Sequence, residues 1–222
     1  MKEKKFSTII FACLAILCIG FVGITGAWFF NRNSNEISIT LANGIQLEAT
    51  GLKQNDATLT GTLQNSQTYQ LVFTNNQGVA PGATITVENV TLKTKADVNS
   101  ANSFLRFKIG YEYSTDNGTS WVSGTYLNCK LTNQIAVKQA AQSSAGFVQV
   151  GDWNYYFNHS TSTSYSNLAV LNGTAVSLFN GNQSLVIGDE IDPNAQIRIT
   201  LTIDAIQATQ NAAQAEWAGA LA

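Results

Sequence analysis

The stretch Ile197–Ala205, IRITLTIDA, alternates strictly: Ile197, Ile199, Leu201, Ile203 and Ala205 fall on one face, and Arg198, Thr200, Thr202 and Asp204 on the other. Successive side chains of an extended chain point to opposite sides, so this pattern makes a strand with one face in a core and the other among polar groups. Phe104–Tyr113, FLRFKIGYEY, repeats it, with Leu105, Phe107, Ile109, Tyr111 and Tyr113 opposite Arg106, Lys108, Gly110 and Glu112. The sequence STDNGTSW follows, and its Asn117-Gly118 pair is a hairpin signal, because both residues tolerate the positive φ of tight hairpin turns.

Outward from these two stretches, shorter candidate strands are ISITL (37–41), IQLEA (45–49), TLTGTL (58–63), YQLVFT (69–74), TITVENVTL (84–92), FVQV (147–150), WNYYF (153–157), AVSLF (175–179) and SLVI (184–187). Turn-rich segments separate them, and no helical pattern intervenes. Short, numerous strands without crossover helices argue for an all-β antiparallel sandwich rather than a parallel α/β sheet. Pro81 and Pro193 each lie four residues before an Ile that opens an alternating strand, where a turn suits a residue without a ladder donor. The segment 209–222 is the one Ala-rich helical stretch near the C-terminus, with Asn211 and Gln214 spaced as a capping box. It is too short to be stable alone, so Trp217 is expected to dock it unless it frays.

The 222 residues suit one domain plus a leader: 12% are charged and 45% hydrophobic, with a formal charge of −2. The polar surface is therefore supplied by Asn, Gln, Ser and Thr, and nothing beyond Lys2, Lys4 and Lys5 forms a basic cluster for nucleic acid. After those lysines an uncharged run extends from Phe6 to Phe30, 25 residues, long enough for a bilayer span of about 20. Towards its end Gly20, Gly23, Thr25, Gly26 and Ala27 replace bulky residues. Thr25 and Ala27 then make a small-x-small cleavage site with Trp28 as the new N-terminus. Residues 1–27 are read as a signal peptide, with a signal anchor that keeps the lysines inside as the alternative; in either case residues 28–222 are exported.

Cys13 and Cys18 belong to the apolar run, which leaves Cys129 alone and excludes an intrachain disulfide framework in the exported part. Cys129 is read as a small buried hydrophobe, with a reactive or intermolecular thiol as the alternative. His159 is the only histidine, so a two-imidazole zinc site cannot be built, and no local motif joins it to Cys129. Asp189, Glu190 and Asp192 are dense enough in oxygen ligands to hold calcium, against the plainer reading of a solvated turn. Trp121, Trp153, Tyr155 and Tyr156 are read as core aromatics, with a sugar-stacking platform as the alternative. No catalytic residues and no obligatory cofactor are assigned, and the chain is expected not to be an enzyme.

Four blocks together resemble the camelysin/TasA family of exported proteins from Gram-positive bacteria. GITGAWFFNRNS is similar to the family's leader junction, followed by ISITLANGIQLEATG. SFLRFKI resembles an internal strand. WNYYFN with LNGTAVSLFNG resembles its aromatic hairpin and Leu-Phe turn, and IRITLTIDAIQATQNAAQAEW its closing strand and tail. Where the family often has an acidic residue after the aromatic pair, this chain has Asn31 and Arg32. The resemblance implies a jelly-roll-like sandwich, processing by a dedicated signal peptidase, and secretion to the cell surface or biofilm matrix. It also implies fibre assembly by donor-strand exchange. Carried over, residues 28–39, with Trp28, Phe29, Phe30, Ile37 and Ile39 as apolar anchors, are the strand lent to the next subunit. The partners are then other copies of the chain and the membrane before cleavage, with other matrix proteins or polysaccharide left open. The competing readings are a surface adhesion or carbohydrate-binding module and, behind it, a surface protease.

Overall fold

A computed structural model describes residues 45–54, 57–64, 67–74, 79–95, 101–161 and 163–221, all within the unit Leu41–Ala222. The leader, the cleavage residues Thr25, Ala27 and Trp28, and the assembly residues Phe29, Phe30, Ile37 and Ile39 lie outside them. In chain order the elements are β1 (Gln46–Gln54), β2 (Ala57–Gln64), β3 (Gln67–Phe73), β4 (Thr84–Val87), β5 (Thr91–Thr94) and β6 (Ser103–Ser114). There follow β7 (Val122–Gly124), β8 (Gly146–Val150), β9 (Trp153–Phe157), β10 (Val176–Ser177), β11 (Gln183–Val186), β12 (Gln196–Gln207) and one helix, α1 (Gln210–Glu216).

The two strongly alternating stretches become the central strands β6 and β12, and they pair with each other antiparallel from Gln196↔Ser114 to Gln207↔Ser103. Both faces specify this register. On the inner face Ile199 meets Tyr111, Leu201 meets Ile109 and Ile203 meets Phe107; on the outer face Arg198 meets Glu112 and Asp204 meets Arg106. A one-residue slip would turn the charges into the core, and a two-residue slip would separate both opposite-charge pairs. Around this pair the large sheet runs β3-β12-β6-β9-β8, with β7 also bonded to β6. The hairpin joining β6 to β7 carries Asn117 at φ 56° and Gly118 at φ 82°, the left-handed conformations its sequence favours.

A second sheet, β10-β5-β1-β2, lies across the inner face, and β4 and β11 form a separate two-stranded ribbon. Leu47, Leu52 and Leu92 from this sheet join Leu105, Phe107, Ile197, Ile199 and Ile203 from the large one in one buried core. The architecture is an all-β antiparallel sandwich, jelly-roll-like in that the chain crosses repeatedly between sheets. Within β1 the register shifts between Ala49 and Leu52. Gly51 sits at that bulge with φ +87°, and a Cβ there would lie 2.0 Å from the carbonyl oxygen of Asn89. Only glycine lets the two backbones pass.

Three expectations need correction. TITVENVTL is two strands in different sheets, because Asn89 breaks it: its backbone N–H donates to Asn182 Oδ1 at 2.9 Å and its Oδ1 accepts from the Phe179 N–H at 3.2 Å. AVSLF contributes only Val176–Ser177 as strand. The helix is capped by Thr209, whose hydroxyl accepts from the Ala212 N–H at 3.2 Å, and not by an Asn211–Gln214 box. Thr209 holds the extended backbone of a cap position, whereas Asn211 is already the second helical residue.

The two flanks of the sandwich differ. On one, backbone bonds run without a break from sheet to sheet: Ala140 N–H to Phe147 O (3.0 Å), Lys138 N–H to Leu178 O (2.9 Å), Leu178 N–H to Val90 O (2.8 Å), then β10 paired to β5. On the other, β2 ends one sheet and β3 ends the other, and among the described residues no strand pairs with the outer edge of either.

Candidate functional site

The outer face of the large sheet is where the polar halves of β6 and β12 converge with aromatic rings. Arg106 on β6 donates from Nε and from Nη2 to Asp204 Oδ2 on β12, each at 2.7 Å, and from Nη1 to Tyr155 Oη at 3.2 Å. Its guanidinium lies 4.1 Å from the Trp153 ring centroid and 4.8 Å from that of Trp217. The planar cation is thus held between two indoles, an arrangement a lysine could not reproduce. The Trp217 Nε1–H donates to the same Asp204 oxygen at 3.0 Å. An ion pair this buried roughly offsets its own desolvation, but removing one partner strands a charge at about 3–5 kcal/mol. The cluster therefore fixes position more than it adds stability.

What it positions is the C-terminal tail. Trp217 is 2% exposed, packs edge-on to Tyr155 at 5.4 Å, and its carbonyl accepts from Tyr165 Oη at 2.8 Å. With Ala213, Leu221, Phe104, Phe157 and Leu168 it makes a second small core outside the sheet. The expectation that Trp217 docks the tail agrees with this geometry. The far end of the same face repeats the device with the strands exchanged. Arg198 on β12 pairs with Glu112 on β6 and lies 4.2 Å from the Trp121 ring centroid, while Ser123 Oγ donates to Glu112 Oε1 at 3.2 Å.

These contacts decide the aromatic quartet. Trp121 and Trp153 are half-buried under cations, with Lys108 Nζ also 5.2 Å from Trp153. Tyr155 is fully buried on the outer side, and Tyr156 packs on the inner side against Phe147 at 5.4 Å. The four do not share a platform. Cys129 is 1% exposed in the main core; burial first, and the Glu112 carboxylate second, push its thiol up to about 12. That makes it an inert hydrophobe at neutral pH. His159 engages Asn167 Oδ1 (3.3 Å) and Thr161 Oγ1 (3.0 Å) through its two ring nitrogens, and is not brought to Cys129. Asp189, Glu190 and Asp192 do not converge: Asp192 Oδ1 accepts from the Asn194 N–H at 2.7 Å and Glu190 faces Lys130 at 3.7 Å. Among the described residues no group of three or more His, Cys, Asp or Glu side chains is placed to hold a metal ion.

The arrangement can hold and rigidify. Sequence reasoning missed both Arg–carboxylate clamps, although the signal was present in the opposite charges on the polar faces of the two central strands. No family model matches the chain, and no curated protein does either. Among solved structures, a crystal structure of a point mutant of HCR/D matches at 11% identity with a TM-score of 0.23, covering 79% of this chain. The chain spans about half of that structure's length, 51%. A likeness at this level carries no argument about fold or function.

Proposed function

We propose that the chain is an exported structural subunit of an extracellular fibre or matrix, and that residues 28–39 complete the sheet of a neighbouring copy. The observation that carries this reading is the inequality of the flanks: one is closed by continuous backbone bonds, while the other presents two terminal strands, β2 and β3, joined by a two-residue link. A terminal strand offers unpaired N–H and C=O groups to any extended segment that reaches it. The released segment, with Trp28, Phe29, Phe30, Ile37 and Ile39, is apolar enough to gain by leaving water. Head-to-tail insertion does not close on itself, so it generates filaments. The sandwich suits such a role, since two ion-pair clamps and a docked tail stiffen the face away from the core.

Deleting residues 28–34 from the exported protein is expected to abolish filaments in electron micrographs while circular dichroism still reports a folded β-protein. Unchanged filaments would exclude the strand-lending role. The leader enters the same experiment: N-terminal sequencing of exported protein is expected to begin at Trp28.

A further inference from the structure

A cleft of about 380 Å³ opens beside the closed flank, between the inner side of β6, β8 and β9 and the segment 134–139. Its volume falls in the range of about 300–1,000 Å³ usual for small-ligand sites. Its lining is unusual in chemistry: Gln134, Gln139, Gln149, Asn154 and Asn180 bring five carboxamides to one concavity, and Asp152 is the only charged side chain among the lining residues.

Much of this amide capacity is spare. Gln134 and Gln139 are exposed, and their side chains take no hydrogen bond within the described structure. Gln149 uses only Nε2, to Gly151 O at 3.2 Å. Asn180 and the buried Asn154 each make one long bond, 3.4 Å to Val137 O and 3.5 Å to Phe107 O. Each carboxamide has two donor hydrogens and two acceptor lone pairs, so together they offer both roles in several directions. Ile109 and Tyr111 give the cleft an apolar floor, and the Tyr111 ring is fixed because its Oη accepts from the Ile135 N–H at 3.0 Å.

A ligand for this surface must both donate and accept at close intervals, present a C–H face to the floor, and carry no charge. No lysine, arginine or histidine lines the cleft to pair with an anion. A cation would find one solvated carboxylate. We infer that the cleft binds a neutral, hydroxyl-rich oligosaccharide. The site is separate from the Trp121 and Trp153 surfaces, whose rings are occupied by cations, and it does not depend on filament formation.

The test is isothermal titration calorimetry on the exported protein with cello- and malto-oligosaccharides, with oligogalacturonate as a hydroxylated anionic control. Gln134→Leu and Gln149→Leu change exposed side chains, and matching thermal melts will show that both variants fold. The expected result is binding of at least one neutral oligomer at millimolar concentration or below. Each variant should bind roughly fivefold more weakly, the value of about one lost neutral hydrogen bond, and the anionic oligomer should bind distinctly less. Absence of heat with all neutral oligomers, affinity unmoved by both variants, or equal binding of oligogalacturonate would each overturn the assignment.

Discussion

Replacing Trp217 by alanine tests whether the C-terminal tail is held by one side chain. The seven-residue helix α1 is below the length at which an isolated helix persists in water, so the tail is ordered by what it packs against. A buried tryptophan removes about 150–250 Å² from water, which at about 25 cal/mol per Å² gives roughly 4–6 kcal/mol as an upper bound. Measured Trp-to-Ala truncations cost about 3–5 kcal/mol. Here the cost is limited from above, because the tail can undock as a unit instead of leaving a cavity. The expectation is therefore a loss of about 3 kcal/mol in urea unfolding, with new protease cleavage between residues 207 and 221. Trp217→Phe keeps most of the ring but removes the Nε1–H bond to Asp204, whose oxygen retains Arg106; about 1–2 kcal/mol should be lost, without new cleavage. A Trp217→Ala protein within about 0.5 kcal/mol of the parent, the range of ordinary surface changes, and equally resistant to protease would refute the reasoning.

Gly51→Ala should destabilise by more than about 2 kcal/mol, because its φ is +87° and the new methyl would meet the Asn89 carbonyl oxygen at 2.0 Å; chemical denaturation against an alanine change at the open turn glycine Gly151 checks it. Cys129 should resist a thiol reagent at pH 8 in the folded protein and react at once in urea, since it is buried. Its thiol is raised from 9.0 to about 12, so between those values the unfolded chain ionises and the folded one does not. Stability from this group is intact below pH 9 and falls as pH rises through the window; a Cys129→Ala protein should show a shallower alkaline decline.

The two central strands were legible residue by residue, because a period of two records which face is dry. So were the Asn117-Gly118 hairpin, whose φ values follow from local sterics, and the docking of Trp217, the one large apolar group on a helix too short to stand alone. The division of TITVENVTL was not legible: its residues have strand character throughout, and the break at Asn89 is made by Asn182 and Phe179, some ninety residues away. Strand β7 was equally hidden, since Val122–Gly124 is exposed and exists only because β6 lies beside it. Which side of the sheet each ring of the WNYYF strand would face was legible only once that strand was placed. WNYYF shows four rings in five positions, but alternation sends Trp153 and Tyr155 to one side of the sheet and Tyr156 to the other.

By itself the sequence determined an all-β chain, the two long alternating strands that became β6 and β12, and a neutral amide-rich surface; the pairing of those strands and the burial that makes Cys129 inert came from the fold. Tertiary structure alone decided that Arg106 would meet Asp204 between two indoles, that one flank would be closed and the other end in β2 and β3, and that five scattered Asn and Gln residues would line one cleft. The reason is range. Burial periodicity is imposed on neighbouring residues and can be read from them, whereas the choice of partner among strands depends on contacts formed across the whole fold.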